Sequence, residues 1–166
     1  MPSIYKTCCF TGHREIVDKE TVLKRIYNTI SVLYKNGTVN FISGMAKGFD
    51  MLAARQVIAL RSKYSDVRLI CALPCRDQTV LWDESEAIAY SAILDMADKI
   101  VYVSQFNQKG AMLKRDRYMV DNSDIVIAHL TKSSGGTYYT VKYANEKGIR
   151  VINLADRAYA GDNFII

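Results

Sequence analysis

Proline is nearly absent from this sequence: there are two in 166 residues, beside nine glycines. A chain so poor in both is not a disordered or low-complexity tract, because such tracts are built from residues that resist packing. No apolar run approaches the ~20 residues that a membrane-spanning helix requires, so no membrane partner is expected. The opening MPSIYKTCCF carries one lysine and a short apolar patch before a polar loop, too little for a secretory signal. A cytoplasmic location is the expectation. Histidine is scarce as well, with two in the chain, and the four cysteines (Cys8, Cys9, Cys71, Cys75) follow no zinc-ligand spacing. Neighbours on a strand point to opposite faces, so Cys8 and Cys9 cannot readily share a ligand. No metal is expected. Cysteines inside apolar runs read as small hydrophobes, and Cys75, at the end of such a run, is the one to watch for reactivity. No block of like charge reads as a nucleic-acid tail.

What is present suits one packed domain. Hydrophobic residues make up 49% of the chain and charged residues 23%, an ordinary globular balance. The net charge of +5 and sequence pI near 9.0 favour anionic partners, phosphorylated metabolites among them.

Short β-rich runs alternate with longer runs of helical spacing. The first kind covers residues 5–10, 39–43, 67–73, 99–104, 124–130 and 150–154. The second covers about 19–36, 48–63, 82–97, 111–122 and 137–147. From Val22 to Tyr34 the apolar residues recur at three and four, one stripe of a helix, with Asp18 as its start signal and Gly37 as its stop. The alternation predicts parallel strands joined by crossover helices. The strands are near-continuous apolar runs, as in a sheet covered on both faces. The expected fold is a single α/β domain over residues 1–166: a Rossmann-like, doubly wound, mainly parallel sheet with helices on both faces. Its core covers about 5–154, and the tail 155–166 is a short packing or subunit-contact segment.

Ligands of open α/β sheets bind outside the carboxyl ends of the strands, so the loops that follow strands belong together. They read TGHRE, SGMAKGFD, PCRDQ, QFNQKGA and TKSSGGT, rich in glycine, small hydroxyls, amides and bases. At Gly135, Gly136 and Thr137 a helix begins. Its unpaired amides and positive dipole end suit a phosphate, although a plain tight turn would also use the glycines. In SGMAKGFD, Ser43, Gly44 and Gly48 either serve close helix–strand packing or pass beneath a sugar or phosphate, with Asp50 able to bond a ribose hydroxyl. That loop is neither a P-loop nor the G-x-G-x-x-G dinucleotide fingerprint. After Gly12, His13 is an acid–base candidate or a turn residue. Arg14 is a phosphate ligand or a surface charge. Arg115 lies between Met112 and Met119 on one helix face, either packing its stem or aiming its head at the ligand edge. Gln78 and Trp82 are candidates for shaping a base pocket.

FTGHRE, FISGMAKGFDMLAA, ALPCRDQTVLW, RDRYMVDNSDIVIA and GGTYYTVKYA, in this order, resemble the YpsA family of the SLOG (SMF/DprA–LOG) superfamily. The resemblance runs from about residue 9 to 154. It implies a Rossmann-like fold and a nucleotide or nucleotide-derived ligand at the strand ends. Superfamily members include a DNA-processing protein that binds single strands, LOG enzymes that cleave the N-glycosidic bond of a nucleoside monophosphate, and sensors of nucleotide-derived signals. The LOG helix before the fifth strand carries an Arg-Lys pair and then Met; here Arg115 matches the Arg, Asp116 replaces the Lys, and Met119 matches the Met. The LOG catalytic Glu, three residues after the loop's Thr, falls at Thr140. Threonine cannot stabilise a cationic sugar or activate water as a carboxylate does.

Three functions follow, in order. The first is a sensor or regulatory module that binds a nucleotide or related phosphorylated ligand through Gly12, His13, Arg14, Ser43, Gly44, Gly48, Asp50, Gln78, Arg115, Gly135, Gly136 and Thr137, with no required cofactor. The second is a nucleoside-monophosphate N-glycosidase, with Asp50 or Glu15 as the substitute carboxylate. The third is single-stranded DNA binding, disfavoured because no basic stripe with interleaved aromatics is visible. Superfamily relatives imply a homodimer.

Overall fold

The computed structural model describes residues 5–156. Six strands and five helices alternate: β1 (Thr7–Gly12), α1 (Lys19–Lys35), β2 (Asn40–Ser43), α2 (Phe49–Lys63), β3 (Arg68–Leu73), α3 (Glu84–Met96), β4 (Lys99–Tyr102), α4 (Ala111–Asp121), β5 (Ile125–His129), α5 (Gly136–Glu146) and β6 (Arg150–Asn153). The strands form one sheet in the order β4-β3-β2-β1-β5-β6, and every pairing is parallel. From the central β1 the chain winds outward through β2 and β3 to the edge strand β4. It returns through α4 to pair β5 with the other side of β1. The topological switch therefore lies between β1 and β5, where an open α/β sheet forms its crevice.

Both faces are covered, by cores of different size. On one side α1, α2 and α3 pack large side chains (Phe10, Ile26, Ile30, Phe41, Phe49, Leu60) against the sheet. On the other, α4 and α5 pack Met119, Val120 and Ala144 against Cys9, Ile42, Ala72 and Val126. Strand alternation sends Cys8 to the first core and Cys9 to the second. All four thiols are free and buried. Cys75 is 2% exposed, and burial, then Asp77, pushes its thiol up from the usual range, the wrong direction for a nucleophile.

Several boundaries differ from the sequence expectation, each for a local reason. β1 continues to Gly12 because β5 extends far enough to pair Thr11 with Ala128 and Gly12 with His129. His13 is thus the first residue of the loop. α3 begins after Trp82, because the Asp83 side chain accepts the Glu86 amide as an N-cap. α5 begins at Gly136 rather than Thr137. Residues 157–166 of the expected contact tail lie outside the described residues. Among the described residues, no helix is long and apolar enough to cross a membrane.

Candidate functional site

At the switch point the carboxyl ends of β1 and β5 diverge, and the starts of α2, α4 and α5 close around the gap. The result is a cleft of about 540 Å³. Gly12, His13, Arg14, Asp50, Arg115, Gly135, Gly136 and Thr137 line it, together with Lys132 and Ser134. Ser43, Gly44, Gly48 and Gln78 do not; they build its walls from behind.

The first element is the N-terminus of α5. Its first intrahelical bond runs from Tyr139 N–H to the Gly135 carbonyl, so the amides of Gly136, Thr137 and Tyr138 lack intrahelical acceptors. No acidic residue occupies the first turn and no side chain caps it. Gly135 has φ 97°, a conformation L side chains rarely adopt. Gly136 is different: its φ is not positive, and an added Cβ would meet nothing within 4 Å. The fold itself does not need glycine there. Arg14 and Lys132 are exposed beside this turn, and neither forms an ion pair among the described residues. Arg14 reaches only the Met112 sulfur, at 3.5 Å, a weak acceptor. Unpaired cations and unpaired amides both favour negative charge nearby.

The second element is Asp50, in the first turn of α2 and 6% exposed. Its Oδ2 accepts the Ala46 amide at 3.3 Å. Its Oδ1 is buried without a hydrogen-bond partner. Burial raises the carboxyl to about 7, with Arg115 opposing and Asp116 adding to the rise. Such a group changes charge near neutrality, which suits either proton transfer or a hydrogen-bond role that depends on protonation state.

Arg115 explains the glycine and serine of the loop after β2. It is 3% exposed. Its Nε donates to Asp116 Oδ1 at 2.6 Å, and a terminal nitrogen donates to the Gly44 carbonyl. A Cβ on Gly44 would collide with the guanidinium. Ser43 Oγ donates to the Asp50 carbonyl at 2.8 Å and accepts the Met45 amide at 3.2 Å. Gln78 Nε2 donates to the Met45 carbonyl and to Tyr90 Oη, both at 3.2 Å. Trp82 packs edge-on against Tyr90, with Lys47 5.3 Å above its ring. Gln78 and Trp82 thus brace the loop after β2 and do not shape the cleft.

His13 joins the two sides of the switch. Its Nε2 accepts the Thr131 amide at 3.0 Å, and its carbonyl accepts the Phe49 amide at 3.2 Å. Burial, then Lys132, lowers its pKa from 6.5. The neutral ring is therefore the form that clips the loop after β5. The stabilisation is present above the free value and is lost as pH falls through the depressed folded value. The Thr131 amide resonance is expected to titrate with an apparent pKa below that of a free histidine. A Thr131 shift that is flat across this range would break the proposed coupling.

Thr140 is buried, and its hydroxyl donates to the Gly136 carbonyl at 2.8 Å. That position brings no carboxylate to the cleft. Lys132 and Ser134 escaped sequence reasoning, although both lie in the loop that carries the two glycines. A lysine three residues before a glycine pair was the available signal.

A family model described as the YspA SLOG family (YpsA) matches residues 8–153. The chain is 28% identical over 127 residues to an uncharacterized SPbeta prophage-derived protein, YoqJ, of Bacillus subtilis strain 168, covering 69% of this chain and 74% of that protein. Two solved structures share the fold. One is DNA processing protein A of Helicobacter pylori, solved to describe its single-stranded DNA binding mode: TM-score 0.65, 20% identity, 95% of this chain and 69% of that one. The other is the X-ray structure of DNA processing protein A of Streptococcus pneumoniae: TM-score 0.66, 17% identity, 95% of this chain and 56% of that one.

Proposed function

The chain belongs to the YpsA family of SLOG proteins, and on that premise we propose that it binds a phosphorylated nucleoside in the cleft between β1 and β5, as a sensor or regulatory module. The observation that carries the reading is Gly136. It is a glycine that neither backbone angle nor packing demands, at a helix start with free amides, in a cleft that two unpaired cations also line. Room for an anion is a use that remains for it. The phosphate occupies the α5 turn, with Arg14 and Lys132 beside it. The sugar lies over Gly12 toward Asp50.

Gly136→Ala separates this reading from a bland turn. Alanine is the better helix former and meets no neighbour, so thermal stability is expected to hold or rise slightly. Affinity for AMP or ADP-ribose, measured by isothermal titration, is expected to fall about tenfold, ~1.4 kcal/mol, because a methyl group intrudes on the anion. Unchanged affinity would remove the phosphate from this turn. No binding of AMP, NAD or ADP-ribose at millimolar concentration would defeat the reading as a whole.

Cleavage of the ligand's N-glycosidic bond is the alternative. Asp50 is its candidate carboxylate, since Thr140 supplies none. Release of free base from nucleoside monophosphates, followed chromatographically, tests it.

A second reading, single-stranded DNA binding, gains from the fold shared with the DNA processing proteins and from the rim of the sheet. Val80, Leu81 and Phe106 are exposed there at 70%, 92% and 71%, beside the exposed Arg76 and Lys109. Phe106 offers an aromatic platform with cations nearby, which suits an unpaired base. If this rim binds oligonucleotides, affinity drops steeply between 50 and 200 mM salt and Phe106→Ala weakens it. A gel shift at two salt concentrations checks both.

A further inference from the structure

One buried carboxylate in the wall of the cleft is only half hydrogen-bonded. Asp50 Oδ1 is shut away from bulk water and has no partner, while Oδ2 is taken by the Ala46 amide. Buried polar atoms in native proteins are almost always satisfied, by protein, ordered water or ligand. The surrounding groups leave this one open. On α4, the Arg115 guanidinium is committed to Asp116 and to the Gly44 carbonyl. From the β1–α1 loop, Arg14 acts on Asp50 only at a distance, its head lying at the Met112 sulfur. The residue nevertheless lines the same cleft as the α5 turn.

Two parts of the cleft wall thus ask for opposite things. The α5 turn, Arg14 and Lys132 call for an anion. Asp50 repels one and calls for a hydrogen-bond donor. We infer that Asp50 is the specificity-determining residue of the cleft, admitting sugar phosphates that present a free hydroxyl to Oδ1, and rejecting sugars that lack one. This rests on the proposed nucleotide site and narrows its ligand to nucleotides whose sugar carries a free 2′- or 3′-hydroxyl. A ribonucleoside monophosphate brings two sugar hydroxyls. A 2′,3′-dideoxynucleotide brings none. Within a DNA strand the sugar has no 2′-hydroxyl, and its 3′ and 5′ oxygens are esterified, so it offers Asp50 no donor and sets further phosphates against a carboxylate. A site built to bond a hydroxyl discriminates strongly against the analogue without it, because the buried partner is then left unpaired.

Protonation state gives a readout that a merely structural Asp50 would not move. A hydroxyl donates best to the ionised carboxylate. The groups acting on that carboxylate are Arg115 and Asp116 from α4, Arg14 from the β1–α1 loop and the Ala46 amide from its own loop. Preference for ribose over dideoxyribose therefore grows as pH rises through neutrality. Comparing two ligands with the same phosphate cancels titration of the phosphate and of His13.

The experiment is isothermal titration of the full chain with AMP, 2′-deoxy-AMP, 2′,3′-dideoxy-AMP and ribose 5-phosphate at pH 6 and pH 8. It is repeated on Asp50→Ala and Asp50→Asn, with folding checked by circular dichroism. The wild type is expected to bind AMP at least tenfold tighter than the dideoxy analogue at pH 8, and less selectively at pH 6. Asp50→Ala loses the preference. Asp50→Asn keeps an acceptor without the charge, and retains a reduced preference that no longer changes with pH; it carries the test should the alanine variant fail to fold. Equal binding of AMP and dideoxy-AMP by the wild type overturns the inference while leaving the phosphate site standing. A preference that survives in Asp50→Ala, or oligodeoxythymidine that displaces AMP from the cleft, overturns it as well. If no nucleotide binds, the inference falls together with the site on which it rests.

Discussion

Arg115→Met is expected to lower stability by about 3–5 kcal/mol, the usual consequence of removing one partner from a buried ion pair. The guanidinium is 3% exposed and does three things at once. It pairs with Asp116, it donates to the Gly44 carbonyl, and it offsets the burial of Asp50. Methionine fills the volume of the stem but none of these needs. The Gly44 carbonyl loses its donor, and Asp50 loses the charge that keeps its carboxyl as low as about 7. Removing that charge can only move the carboxyl further up.

The sign of the pH dependence follows. Asp50 is raised in the fold from 3.8 to about 7. Folding therefore binds a proton between those values, and the associated stability is lost as pH rises through the folded pKa. Below about pH 6 Asp50 is mostly protonated in the fold and has little use for Arg115. The loss in Arg115→Met should thus be larger at pH 8 than at pH 5, with a melting temperature roughly 6–20 °C below wild type at the higher pH. Adding Asp50→Asn should recover part of the loss, since adjacent charges couple. A loss equal at both pH values, with no recovery in the double variant, would reduce Arg115 to a packing residue.

Gly48→Ala is the second large effect, expected to cost about 3 kcal/mol or more. Gly48 precedes α2 with φ 79° and ψ −120°, and a non-glycine residue held in so sparse a region costs roughly 1–3 kcal/mol. A steric conflict adds to this. The new Cβ would fall on the carbonyl group of Arg14, with the His13 carbonyl oxygen also too close. These are backbone atoms and cannot swing aside like the end of a side chain, so an overpacking penalty of about 1–3 kcal/mol applies in addition. The loop after β1 must move, and that loop carries Arg14 and the His13 clip to Thr131. Urea denaturation should show a lower midpoint at unchanged slope, and nucleotide affinity should fall with it. Gly136→Ala, by contrast, should separate the two readouts, losing affinity at constant stability. A Gly48→Ala variant within about 2 °C of the wild-type melting temperature would contradict so close an approach of Gly48 to the Arg14 carbonyl.

The elements that sequence reasoning located well were those whose signal is local. The stripe from Val22 to Tyr34 needs no partner to be read, and α1 runs Lys19–Lys35 with the Asp18 side chain on the Thr21 amide. The β1 end was misplaced because its last residues, Thr11 and Gly12, are strand only by virtue of β5, more than a hundred residues away. α3 starts later than the periodicity suggests because Trp82 fits the apolar pattern, whereas the start signal is Asp83 with Glu three positions on; the Asp83 side chain accepts the Glu86 amide.

The candidate site divides the same way. Gly135, Gly136 and Thr137 announce themselves between a strand and a helix, and their free amides follow from backbone geometry alone. SGMAKGFD offered packing and ligand contact as alternatives, and sequence could not choose. The structure assigns its two glycines to packing. Gly44 makes room for Arg115, which is 71 residues away, and Gly48 for the β1–α1 loop. Of that segment Ala46 and Asp50 remain at the cleft wall, Asp50 with an oxygen unspent.

The order of residues by itself determined the alternation of strand and helix, the two-sided sheet, and the gathering of polar loops on one rim. These depend on periodicity and on the parallel direction of successive strands. The tertiary structure alone decided which of those polar groups are consumed inside the fold and which face the cleft. The physical reason is distance along the chain. Whether Arg115, Asp50 or Gln78 is satisfied depends on acceptors and donors brought by other elements, and no local pattern records where those will stand.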